Sequence, residues 1–369
     1  MSTTEKAPAV AASEVRRQEG EYDNAPAVLG LVRRRLLTPI TVAFLVLAGI
    51  FATDPELPTW VIFAPLAASV LVFGLPHGAL DHLVPTRLAG RRASVTSIGL
   101  VAALYVVLGG VVLVIWHISP LIAFAGFIAL TWFHWGQGDL WIDLAADEGR
   151  RLSGWPLQVG VVAVRGGIPL LLPLVFHPDV YEKVRLGTIE VFAGPAASAG
   201  SWSIGADLRV TIAAGFSLVA AAMAVATWRS ARTRPQRWAW VHDQSEIVVL
   251  SFFFALGPPV LTIGLYFCLW HALRHIVRLE LLDPGGAALL RRGQFVGAAR
   301  RFAIEAAPIT AIALVGLALV SFMLPPPTGS PESQLGPYLV LISALTVPHI
   351  AIVTFMDRRQ GSVISRPMA

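Results

Sequence analysis

Apolar residues along this chain come in long unbroken runs. They do not alternate as in a half-buried strand, and they do not form the one-sided stripes of a soluble amphipathic helix. Runs of about 20 residues are long enough to cross a bilayer as helix. The pattern predicts such helices over 36–53, 58–80, 95–117, 119–140, 156–176, 206–228, 239–257, 259–281, 302–324 and 337–356. The weakest is 239–257, because its first third holds His242, Asp243, Gln244 and Glu246. The Pro258–Pro259 pair breaks the chain before the next run. No strong internal repeat is visible. The predicted fold class is an all-α polytopic integral membrane protein, a bundle of about ten transmembrane helices. Its core is one domain over 36–357, and 177–205 is a long connecting loop.

Charge supplies the orientation. A basic cluster at Arg33–Arg35 precedes the first span, and clusters at Arg87/Arg91/Arg92, Arg150/Arg151, Arg229–Arg237, Arg291–Arg301 and Arg358/Arg359 follow every second one. All of them fall on one side if both termini are cytoplasmic. Residues 1–35 mix Lys6, Arg16 and Arg17 with Glu14, Glu19, Glu21 and Asp23, with no signal-like apolar run. They are expected to be a disordered cytoplasmic tail, and 358–369 a short second one. The expected location is the cell (plasma) membrane, as a multi-pass protein.

Composition agrees. Of 369 residues 55% are apolar and only 14% are Asp, Glu, Lys or Arg, against roughly 25% charged in soluble chains. A soluble enzyme, a disordered chain and a nucleic-acid binder are excluded, and no nucleic-acid partner is expected. The net charge of +5 is dispersed in the loop clusters, which suits topology better than a polyanion. The one cysteine, Cys268, lies in an apolar run. It forms no internal disulfide and reads as a small buried hydrophobe.

The candidate chemistry lies in the histidines. Five of nine sit within spans: His77, His134, His271, His275 and His349. All are on even-numbered helices, which places them in the cytoplasmic half. Intramembrane ionisable groups are costly and face a bundle interior or cavity, so the five side chains can converge at one depth. His271 and His275, four residues apart in "CLWHALRHI", share a helical face. They can ligate one metal or simply stack between helices. Asp81 follows His77 by one turn in "GLPHGALD" and suits an orienting carboxylate. His134 stands in "WFHWGQGD" and His349 follows a proline in "VPHIAIVTFMD". Four loci at one depth point to a metal site, and neutral imidazoles suit Fe(II), Zn(II) or Cu rather than Mg or Ca. His82, His117, His177 and His242 lie near the surfaces, where solvated roles are expected. Arg165, Arg274 and Glu305 also fall within spans, with mutual pairing as the expected reason. Trp132, Phe133, Trp135, Tyr266 and Trp270 either wall a tunnel for an apolar substrate or pack between helices.

"GLPHGALD", "FHWGQGD", "LWHALRHI" and "PHIAIVTFMD", in this order, resemble the Brp/Blh family of membrane carotenoid cleavage enzymes over roughly 70–357. The resemblance implies a β-carotene 15,15'-dioxygenase that cleaves the central double bond with O2 to give two all-trans-retinal. It also implies a non-haem Fe(II) held by His77, His134, His271 and His275. His349, Asp81 and Asp139 are left as an additional ligand or outer partners. β-Carotene, O2 and the lipid bilayer are the implied partners, with a rhodopsin as the consumer of retinal. The rival readings are another histidine–metal membrane oxidase acting on a lipid, a proton-coupled transporter with a His/Asp relay, a haem carrier, and a structural subunit. The H-x-x-H-H clusters typical of diiron membrane oxidases do not occur.

Overall fold

The computed structural model of the chain describes residues 25–146, 151–194, 205–323 and 329–360. These are helical with short connections, and there is no strand among the described residues. In chain order the helices are α1 (Pro26–Phe51), α2 (Thr59–Leu88), α3 (Val95–Ile118), α4 (Pro120–Ala146), α5 (Trp155–Phe176), α6 (Pro178–Ala193), α7 (Ala206–Ser230), α8 (Arg234–Leu256), α9 (Pro259–Leu281), α10 (Pro284–Arg291), α11 (Phe295–Met323) and α12 (Ser333–Arg359). Every predicted apolar stretch falls on one of them, overrunning its ends by at most two residues. Eight are long and apolar enough to span a bilayer. α4 and α8 are comparably long but carry buried charges, Asp139 and Asp143 in one and Asp243 and Glu246 in the other.

Two segments depart from expectation. The stretch from 178, expected as loop, is α6. Pro178 sits in its first turn with Asp179, and Gly194 ends it at a φ of 70°. Glu182, Lys183, Arg185 and Glu190 make this helix too polar for an apolar search to find. Residues 195–204, the rest of that loop, lie outside the described residues, as does Arg150. The first helix begins ahead of the predicted Leu36. Val28, Leu29 and Val32 are buried beside Trp141 and Ile142, so part of the expected tail is packed. The remainder of the tails, 1–24 and 361–369, lies outside the described residues.

Burial sorts the helices by role. The apolar windows of α9 and α5 are 72% and 67% enclosed, against 6% for α3 and α7. α9 and α5 are therefore central, and a site carried on α9 is shielded from lipid. Around them Phe44, Phe253, Tyr266 and Trp270 form the largest apolar core. α4 and α5 meet backbone to backbone: a Cβ on Gly136 or Gly166 would strike the Val162 and Trp132 main chains. Small residues at such crossings let helices close on each other in an apolar medium. Among the described residues three π turns interrupt the regular helix, at Arg33–Leu37, Ser69–Gly74 and Phe267–Ala272. The second and third adjoin the histidines.

Candidate metal centre

α2 reaches the site through a proline-distorted path. Pro76 has no N–H, so the turn before it loses a donor, and the backbone widens into a π turn over Ser69–Gly74. A short α segment, Leu75–Ala79, then presents His77. The ring Nδ1 donates to the carbonyls of Gly74 and, at 3.2 Å, Phe73. A carbonyl only accepts, so Nδ1 carries the proton and Nε2 keeps its lone pair. In α9 the π turn contains His271, and regular helix resumes at Leu273 ahead of His275. π turns inside α-helices are frequent at functional sites.

The five histidines gather. All are 9% exposed or less. His349 is central: its ring centroid lies 4.9 Å from His77, 4.8 Å from His134 and 5.0 Å from His275. His271 stands 4.8 Å from His134 and 5.6 Å from His77, and His275 is 5.7 Å from His77. The two α9 histidines thus address different neighbours around His77. Ligating atoms of His77, His134 and His349 lie within 4.8 Å of one another, and so do those of Asp81, His275 and His349. His271 stands in neither group, though its ring is beside His134 and His77. The Nε2 atoms of His134, His271, His275 and His349 are buried without a hydrogen-bond partner. Four orphaned lone-pair or N–H positions in an apolar interior cost free energy unless something binds them. A late first-row metal fits this donor set.

Outer partners fix the rings. His349 Nδ1 is 2.7 Å from Asp81 Oδ2, and Tyr105 donates to the same oxygen at 2.5 Å. The expected pairing of Asp81 with His77 is therefore not seen. After Ala79 the chain tightens into a 3-10 turn, Asp81–Leu83, which breaks the four-residue register. On α4, Gln137 donates through Nε2 to Asp357 at 2.6 Å and to Thr354 at 3.3 Å. That orients its Oε1 toward His134 Nδ1, 3.4 Å away. Arg278 donates to the other oxygen of Asp357 at 2.5 Å.

The remaining expectations divide. Asp139 faces away from the rings, accepting from Trp270 Nε1 at 3.1 Å and pairing with Arg165 and Arg274 at 3.4 Å each. Arg165 also meets Asp143, Asp243 and Glu246, and Arg274 meets Glu246. Glu305 pairs with Arg87 and Arg301. Arg165, Arg274 and Glu305 are thus each paired, though not with one another. His82 and His177 donate to the carbonyls of Ala79 and Ala255, His242 lies by Thr38, and His117 is exposed. An apolar cavity of about 370 Å³ ends on His77, His134, His271 and His349. Of the expected tunnel aromatics, Trp135 lines it. Trp132 instead donates to the Ala163 carbonyl, and Phe133 packs with Leu140 and Leu144. Two residues along a helix is about 200° of rotation, which carries Trp132 away from the His134 face. Tyr266 and Trp270 are fully buried beside Phe254 and under Arg274. Tyr105, Gln137 and Asp357 were not anticipated. Gln137 is one turn from His134, a spacing that could have flagged it.

The family model described as beta-carotene 15,15'-dioxygenase matches residues 68–357. "Probable beta-carotene 15,15'-dioxygenase Blh" of Halobacterium salinarum is 40% identical over 300 residues, 81% of this chain and 85% of that protein. "Probable beta-carotene 15,15'-dioxygenase Brp" of the same organism is 26% identical, covering 89% and 92%. "Beta-carotene 15,15'-dioxygenase" of an uncultured marine bacterium is 22% identical, covering 80% and 94%. No solved structure matches the chain.

Proposed function

This chain belongs to the β-carotene 15,15'-dioxygenase family, and we propose that it cleaves the central double bond of β-carotene with O2 at a non-haem Fe(II) held by His77, His134, His271 and His275. The overall change is one C=C and one O2 to two C=O, giving two molecules of all-trans-retinal. The observation that carries this reading is the knot of buried histidines, four with an unpartnered Nε2, beside an apolar cavity lined by His77, His134, His271 and His349.

Fe(II), when bound, supplies the unpaired electrons through which O2 reacts with a closed-shell polyene. The chain does the rest by positioning. The Gly74 and Phe73 carbonyls hold the proton of His77 on Nδ1, and Gln137 does the same for His134. Asp81, shared between Tyr105 and His349, sets a negative charge beside the cluster. His349 then presents its own Nε2 to the same space, as a further ligand or a close neighbour of the ligands. Leucine, isoleucine, valine, phenylalanine and proline side chains line most of the cavity and hold the hydrocarbon without water. The reaction consumes no proton, so the cavity has no need of a general acid or base. Residues 36–357 form the catalytic domain in this reading. The protein lies in the cell membrane with both termini cytoplasmic, draws β-carotene from the bilayer and releases retinal for a rhodopsin to take up.

Expression in a bacterial host that accumulates β-carotene tests the reaction. Retinal should appear by chromatography as carotene falls. Undiminished carotene, in cells shown to contain the folded and iron-loaded protein, would overturn it. Asp81→Asn keeps the volume and removes the charge, and should weaken iron affinity about 10–100-fold, read by metal titration of the purified protein. An unchanged affinity would remove Asp81 from the centre.

A further inference from the structure

The cavity has a roof, a floor and a side. Its wall on α4 runs from His134 through Thr131 and Phe127 to Phe124, ten residues or about 15 Å at the rise of an α-helix. On α12 it runs from His349 through Leu345 and Ile342 to Tyr338, eleven residues or about 16 Å. On α9 it runs from His271 through Phe267 and Ile263 to Val260, again eleven residues. Three helices from separate parts of the chain therefore set one depth. The roof is α6, through Val180, Tyr181 and Val184. It is pressed down firmly, since a Cβ on Gly187 would strike Ser333 and one on Gly336 would strike Gly187. Beyond the histidines the space is filled by Gln137, Asp357 and Arg278. Sideways, at the level of His77, the wall includes Ile309 and Ile312 of α11, and Ile312 is 67% exposed on the outer surface of the bundle.

The geometry points to a measuring arm. One ring end of the carotenoid seats under α6, the other half leaves past α11 toward lipid, and the depth from roof to histidines selects the bond that is cut. Half of β-carotene, an extended conjugated chain ending in a six-membered ring, is also about 15 Å long at ordinary bond lengths. A symmetric substrate pushed to the roof thus brings its middle to the histidines. This rests on the reading that the chain cleaves β-carotene, and it adds what makes the cut central. O2 places one oxygen on each carbon of whichever double bond is presented, so a displaced register still gives two carbonyl fragments, of unequal length.

The test uses the purified, iron-loaded full chain with β-carotene in detergent. Val184→Trp shallows the arm and Tyr181→Ala deepens it. Each should shift the ratio of unequal apocarotenal pairs to retinal by about tenfold or more, with iron content unchanged. Retinal as the sole product of both variants would overturn the measuring arm while leaving the reaction intact. A variant that is iron-loaded but inert also counts against it, because the arm moves the cut and does not make it. A wild-type chain that cleaves no β-carotene would defeat the reaction itself, and the arm with it.

Discussion

Replacing His271 by alanine should leave a folded protein that holds no stoichiometric iron and makes no retinal. His271 is 3% exposed, lies flat against Phe267 at 5.7 Å, and has a buried Nε2 without a partner. The neighbouring rings keep their places without it, because His77, His134 and His349 each have their own outer partner. The variant therefore removes a ligand and not the fold. The loss should exceed the roughly 10–100-fold that follows removal of an outer partner. Elemental analysis of purified protein and product chromatography read the two consequences separately. Full activity in His271→Ala would strike His271 from the ligand set. His117→Ala is the matched control: this histidine is exposed at the end of α3, and both iron and activity should stay unchanged.

Arg165→Met should cost about 3–5 kcal/mol of stability, the usual penalty for breaking a buried ion pair from one side. The guanidinium is 2% exposed and stands among Asp139, Asp143, Asp243 and Glu246, the last at 2.9 Å. Arg151 and Arg274 share these acids but cannot reach all of them. Removing the hub leaves carboxylates facing one another in a medium that solvates them poorly. Thermal unfolding in detergent measures the loss as a lowered midpoint. Arg165→Met combined with Glu246→Leu should recover part of it, since an apolar pair removes charge from both sides. An unchanged midpoint in the single variant would mean that the network contributes nothing to the fold.

How far the molecule could be read beforehand follows from which interactions are local. Helix positions were legible because bilayer crossing needs a length of apolar chain that sequence displays directly. The five histidines were legible as a group because each lies in the same half of an even-numbered span, and the structure brings all five rings together. α6 was missed because Glu182, Lys183, Arg185 and Glu190 conceal a helix that only caps the others. Asp81 serves His349 and not His77, because the switch to a 3-10 turn after Ala79 is not written in its neighbours. Tyr105 gave no sign at all: it is one aromatic in an apolar span, and its partner lies 24 residues away. Trp270 and Tyr266 look like tunnel walls by proximity to His271, yet their faces are spent on Arg274 and Phe254.

The π turns carry a consequence of a different kind. A helix of regular pitch advances about 100° per residue, so each π turn acts as a phase shift between the two halves of its span. In α2 the half before Ser69 packs its residues at one angle, and the half bearing His77 is offset from it. The aim of His77 is thus stored in the number of residues between Pro65 and Pro76, more than in what those residues are. Substitutions there that keep the count preserve the angle. Were the same residues wound at the regular pitch instead, the imidazole would swing about a quarter-turn off axis, misdirected without a change to any side chain of the centre.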